Sequence, residues 1–176
     1  DSVIAFARAA AAVGVRVSLA DPTASGTLIS AGQFREFALP YLNEVVAAIV
    51  EATGGAPALH ICGNTRKIWR EMADTGAGIL SLDDAVDLEE AKAEVGERVP
   101  LLGNVRPTDV MFLGKPEDVR DNARECLAKG WDTPKGYILG LGCGLPIDTP
   151  QENIRALVDA ARTYGRWPLD PARFAA

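Results

Sequence analysis

The sequence predicts an α/β protein built on a parallel sheet, and three observations lead there. Five short segments are apolar along their whole length, a segment of helical periodicity follows each of them, and glycine or polar residues gather where the apolar segments end. Strands without polar alternation, each followed by an amphipathic helix, describe a parallel sheet covered by helices.

The elements follow in order. "SVIAFARAAAAVG" is rich in helix formers and ends at Gly14, a residue suited to a C-cap. "VRVSLADP" is short, β-branched and closed by a proline. "AGQFREFALPYLNEVVAAIVEATGG" repeats Phe34, Phe37, Tyr41, Val45, Ala48 and Ile49 at helical spacing and stops at a glycine pair. Within it, Pro40 kinks the helix or marks its first turn. The strand "ALHIC" precedes the helix "TRKIWREMADTG", with Thr65 near its N-cap. "GILSL" precedes the charged helix "DLEEAKAEVGERV". "PLLGNV" leads to "PEDVRDNARECLAKG", whose Val119, Ala123, Cys126 and Leu127 share a face. "GYILGLG" leads to "TPQENIRALVDAARTYG", where Thr149 caps, Pro150 opens the helix and Glu152 completes a capping box. Five strands thus alternate with six helices in a single domain over residues 1–176. An open doubly wound sheet and part of a (β/α)₈ barrel both fit this pattern, and both place chemistry at the carboxyl ends of the strands.

Charge and composition exclude several classes. The net charge of −6, with basic residues scattered singly or in short pairs, makes a poor binder of nucleic acid. No apolar run reaches the ~18 residues a membrane span needs. "VIAFARAAAAVGV" lacks the basic flank of a signal peptide and carries Arg8 inside it. Three cysteines in no dense pattern suit a reducing compartment, so the expectation is a cytoplasmic protein.

The strand ends carry the chemistry. The first ends at Asp21, the second at His60 and Cys62, the third at Ser81 with Asp83 and Asp84 beyond. The fourth ends at Gly103-Asn104 and the fifth at Gly142-Cys143-Gly144. Residues i and i+2 of a strand point the same way, so His60, the chain's single histidine, and Cys62 can converge on one point. Imidazole and thiolate together suit Zn²⁺, and Cys143 is a candidate third ligand on the same rim, leaving one position open as in catalytic zinc sites. Taken singly, a histidine at a strand end is an ordinary pocket residue and a buried cysteine a small hydrophobe; Cys126 reads as plain core. The Asp83-Asp84 pair reads as acid/base carboxylates or as a loop leading into a helix cap. "GLGCGLP" lacks the third glycine and the immediate helix of a dinucleotide fingerprint.

The segments "ADPTASGTLIS", "LHICGNT", "LLGNVRPTDVMFLGKPEDV" and "GYILGLGCGLPIDTPQENIRALVDAAR" resemble, in order and spacing, the uroporphyrinogen decarboxylase superfamily. They are most similar to its zinc-dependent methylcobamide:coenzyme M methyltransferase branch. That resemblance implies a TIM-type parallel (β/α) barrel, here about the five carboxyl-terminal strands of eight. It implies a zinc ion held by His60, Cys62 and Cys143, where decarboxylases of the superfamily carry a histidine in place of Cys143 and lack the His-x-Cys pair. It further implies a methyl-corrinoid carried by a partner protein, with a small thiol such as coenzyme M, or a small methylated compound, as the other substrate. Asp21 and Asn104 are the candidate catalytic residues, Asp21 corresponding to an acidic residue of the superfamily, and Gly142 and Gly144 shape the cofactor pocket. A metal-free decarboxylase and an inactive partner-binding barrel fragment are the alternatives. A barrel typically needs ~250 residues, so the expectation is a partial barrel with exposed strand edges, completed by another chain or a homo-oligomer; the absence of an initiator methionine agrees.

Overall fold

A computed structural model describes residues 1–174, and the last two positions of the expected domain lie outside the described residues. Five parallel strands form one sheet in the order β1 (Leu19–Ala20), β2 (Ala58–Ile61), β3 (Ile79–Leu82), β4 (Leu101–Val105) and β5 (Tyr137–Leu141). Each strand pairs with the next in sequence, and no reversal of order occurs among the described residues. A doubly wound sheet reverses at a switch point, so that alternative is set aside. Parallel crossovers are right-handed, and steps taken in one direction along the sheet place the helices on a single face.

Burial along the strands agrees. Leu59, Ile61, Leu80, Leu82, Leu101 and Val105 are fully buried against helical residues such as Trp69, Met72, Leu88, Ala91 and Val95. The alternate residues Ala58, His60, Ile79 and Ser81 are half-buried. The apolar runs suggested strands covered on both faces; the structure buries the helix-facing residues of β2, β3 and β4 and leaves the other face partly open, and no residue of the edge strand β5 is fully buried. The functional residues look out from this second face.

Helix α1 (Ser2–Ala12) ends where Gly14 turns left-handed (φ 77°). Short α2 (Ala31–Gln33) starts at Ser30, whose side chain and that of Gln33 exchange hydrogen bonds with each other's backbone. A π-helical stretch, Phe34–Ala38, then leads into α3 (Leu39–Thr53). Leu39 N–H donates to Phe34 O, five residues back, which places Pro40 in the first turn of the new segment, where its missing N–H costs nothing. Gly54, at φ 70°, closes α3. Helix α4 (Trp69–Asp74) is shorter than its periodicity suggested. Its first turn is a 3₁₀ turn, Arg66–Ile68, and the Thr65 hydroxyl accepts the Trp69 indole N–H instead of capping.

Helix α5 (Leu88–Val95) is capped by Asp87, which accepts from Glu89 and Glu90 N–H. Between β4 and α6 (Pro116–Gly130) lies a π-helical turn, Pro107–Phe112, that periodicity did not reveal. Helix α7 (Gln151–Tyr164) starts later than the expected capping box. The Thr149 hydroxyl donates upstream to Pro146 O, and Pro150 occupies the cap position without a side-chain bond. Strand β1 is reduced to two residues, since it pairs only with the short β2. No helix among the described residues is long and apolar enough to cross a membrane.

Candidate metal centre

His60, Cys62, Asp83 and Cys143 come together at the carboxyl ends of the strands, each offering a ligand atom within 4.8 Å of the others. Strands β2 and β5 are three steps apart, about 14 Å in a flat sheet, yet Cys62 Sγ and Cys143 Sγ lie 3.6 Å apart. A cysteine side chain is too short to bridge such a gap. The sheet must therefore curve strongly, with its open face concave and the donors on the inner side.

Local structure aims each donor. In β2, alternation turns Leu59 and Ile61 into the helical layer and His60 toward the concave face. Its Nδ1 lies 3.1 Å from Ser81 O and 3.1 Å from Ser81 Oγ. A carbonyl only accepts, so Nδ1 carries the proton and Nε2 keeps its lone pair facing Cys62 Sγ, 3.3 Å away. Gly63 turns the chain directly after Cys62 at φ 71°, and an added Cβ there would lie 2.5 Å from Thr27 Oγ1. Thr27 Oγ1 also accepts Asn64 N–H, so the loop after β1 buttresses the turn after β2.

Asp83 is almost fully buried, and its Oδ1 accepts Ala85 N–H. Its loop is held from below by Asn104, whose Nδ2 donates to Asp83 O and Val86 O. Cys143 follows Gly142, which packs so tightly on the β3–α5 loop that a Cβ would sit 2.6 Å from Asp84 N. At Gly144 a Cβ would meet nothing.

Electrostatics suit a cation. Burial, then the hydrogen bond and proximity of Cys143, then the Asp83 carboxylate, push the Cys62 thiol up to about 11. Burial and the neighbouring Asp83 likewise raise Asp84. A thiol held protonated by burial and by acidic neighbours gains from a positive ion placed beside it. The donor set fits zinc: tetrahedral bonds of 2.0–2.3 Å imply ligand separations of about 3.3–3.8 Å, matching the 3.3 Å His60–Cys62 and 3.6 Å Cys62–Cys143 distances.

Three of these four donors are those the motif spacing picked out. Asp83 joins them; its place beyond the third strand end was visible, but spacing could not tell a ligand from a loop carboxylate. The structure keeps Asp21 outside the cluster. Its Oδ1 accepts from Thr23 Oγ1 and Ala24 N–H and caps the 3₁₀ turn Pro22–Ala24. Asn104 is also outside: its amide N–H₂ is spent on the β3–α5 loop, and its Oδ1 faces Cys126 Sγ at 3.8 Å. Gly142 packs closely on the β3–α5 loop, and α7 begins only at Gln151, so no helix start follows these glycines to cradle a phosphate. Cys126 is core, with its thiol pushed up to about 11 by burial.

A singly wound parallel α/β sheet, with a cluster of imidazole, thiol and carboxylate groups at its carboxyl rim that could hold a metal ion, defines the class of protein. The chain belongs to the uroporphyrinogen decarboxylase family. The family profile, Uroporphyrinogen decarboxylase (URO-D), matches residues 1–164. The methylcobamide:CoM methyltransferase MtbA of Methanosarcina mazei is 36% identical over 165 residues, covering 93% of this chain and 47% of that protein. A uroporphyrinogen decarboxylase of Psychromonas ingrahamii is 33% identical over 162 residues, covering 91% and 45%. The solved structure of a methyltransferase from Methanosarcina mazei superposes with a TM-score of 0.83 at 32% identity, covering 94% of this chain and 47% of its own. The chain spans about half the length of the relatives it matches.

Proposed function

We infer that this chain carries the metal centre of a zinc-dependent methyltransferase, moving a methyl group between a corrinoid protein and a small thiol or methylated compound. The observation that carries this reading is the convergence of His60, Cys62, Asp83 and Cys143 on one point of the concave face. Methyltransferases acting on methylcobamide and CoM among the relatives support the choice of reaction.

His60 Nε2, Cys62 Sγ and Cys143 Sγ would hold the metal, and Asp83 is the donor whose place a substrate thiol would take. Bound zinc supplies Lewis acidity that keeps a coordinated substrate thiol deprotonated at neutral pH. Ser81 fixes the His60 tautomer by accepting the Nδ1 proton, so Nε2 stays available. Asn104 acts as a positioning residue, holding the loop that presents Asp83. Gly142 lets the end of β5 close on that loop and brings Cys143 to the rim. The functional unit in this reading is a closed barrel, in which further strands pair with the free edges of β1 and β5, and the corrinoid protein docks over the carboxyl rim.

Decarboxylases also stand among the relatives, and a metal-free lyase is the competing reading. Four convergent donors, two of them thiols, weigh against it, since such a reaction has no need of them. Zinc stoichiometry in the purified protein, beside Cys143→Ala and His60→Ala, tests the assignment. About one zinc per chain, lost in both variants, is expected. No zinc after reconstitution under reducing conditions would overturn it.

A further inference from the structure

The two thiols of the cluster also make up a covalent site. Cys62 Sγ and Cys143 Sγ touch at 3.6 Å although 81 positions separate them in the chain. A disulfide bond is about 2.05 Å long, so closure requires an approach of about 1.5 Å. Gly144, which follows Cys143 and faces open space, can absorb that shift from the β5 side, while Thr27 holds the turn after Cys62 in place. Both thiols are partly exposed, whereas Cys126 is 4% exposed and sits beside Asn104 within the core.

The geometry points to a disulfide between Cys62 and Cys143 that forms in the metal-free protein and is blocked when the metal is bound. The blocking half of this inference rests on the metal-centre reading; the disulfide itself does not. The oxidant is a low-molecular-weight disulfide. One cysteine thiolate attacks a sulfur of that compound, forming a mixed disulfide and releasing one small thiol. The second cysteine thiolate then attacks the protein sulfur of the mixed disulfide and expels the second small thiol. The cysteine pair loses two electrons, the oxidant gains them, and the two cysteine protons end on the two small thiols. Closure removes two of the four metal donors at once, and excess thiol restores them. The site thus becomes a reversible redox switch whose open state zinc protects.

The test uses purified protein stripped of metal by a chelator, one half reloaded with zinc and both halves treated with oxidised glutathione. The chain holds three cysteines. Metal-free protein is expected to fall from three titratable thiols to one, with the Cys62 peptide cross-linked to the Cys143 peptide in mass mapping. Zinc-loaded protein should keep all three, and closed protein should take up zinc only after dithiothreitol. The Cys126→Ala variant should form the same cross-link, whereas Cys143→Ser should carry a glutathione on Cys62 and no cross-link. Three persistent thiols in metal-free protein, or separate glutathione adducts on both cysteines, would overturn the disulfide and leave zinc binding intact. Cross-linking in a protein that never takes up zinc would instead sink the metal reading and uphold the disulfide.

Discussion

At the residue scale the centre depends on side chains that never touch a ligand. Ser81 offers His60 Nδ1 two acceptors, and only one disappears on substitution. Ser81→Ala should therefore weaken zinc by about tenfold, the mild end of what the loss of such an orienting bond costs. Competition with a chromogenic chelator measures it. Gly142 is less forgiving. A Cβ 2.6 Å from Asp84 N meets backbone, which cannot swing aside. Gly142→Ala should lower zinc affinity more than Ser81→Ala does, because it displaces both Cys143 and the loop bearing Asp83. Gly144→Ala, facing open space, should leave affinity within about twofold, since no contact changes. Equal effects at the two glycines would contradict this account of the rim.

At the scale of elements, the β3–α5 loop is the part that matters most. Asn104 satisfies two of its carbonyls from the end of β4, and Asn104→Ala would leave both without that partner. A loss of about 2 kcal/mol follows, readable from the urea midpoint, with zinc binding weakened through Asp83. Next to this loop, Asp87, Lys129, Glu125 and Arg106 tie α5 to α6 and the end of β4. Burial alone would raise Asp87, but the Glu90 and Glu89 N–H groups and Lys129 outweigh it and hold the carboxyl below its usual range. Glu125 is likewise held low, burial being outweighed by Lys129, Asn122 and Arg106. The hydrogen bond that Lys129 Nζ donates to the Asp87 carboxylate raises Lys129 against its own burial. A depressed carboxylate stabilises the fold above its unfolded value, near pH 4, and that contribution fades as pH falls through the folded value. Lys129→Met should cost about 0.5 kcal/mol at pH 7, the scale of exposed pairs. The gap to the parent should close toward pH 3. A gap of constant size from pH 7 to pH 3 would mean that packing of the lysine stem matters, not its charge.

At the scale of the whole molecule, both edges of the sheet are flanked by exposed apolar side chains. Val3 and Phe6 of α1 are exposed, and Val3 joins Leu19, Asp21, Phe37 and Tyr41 in lining a cavity of about 500 Å³ beside β1. Ile138 of β5 is exposed, as are Ile154 and Val158 of α7. Open edges next to apolar surface invite association. The isolated chain is expected to self-associate with rising concentration in sedimentation velocity. Phe6→Glu paired with Ile154→Glu should shift it toward monomer without changing the zinc stoichiometry. A strictly monomeric parent would show that these flanks need no cover.

Much of this was legible from residue order. Five apolar runs and six helical periodicities marked the strands and helices, Gly14 and Gly54 closed helices as their backbone freedom allows, and the i, i+2 rule paired His60 with Cys62. Where reading failed, a side chain had found a partner distant from its predicted role. Thr149 turned to Pro146 and Thr65 took the Trp69 indole. Propensity and periodicity are local properties, and they determined which segments are strands, which are helices, and which rim the polar residues occupy. Only the tertiary structure decided that the sheet winds in one direction and curves. That curvature brings Cys143 from β5 against Cys62 from β2, admits Asp83 and leaves Asp21 outside, because the distance between strand ends depends on how the whole sheet bends and on no single strand.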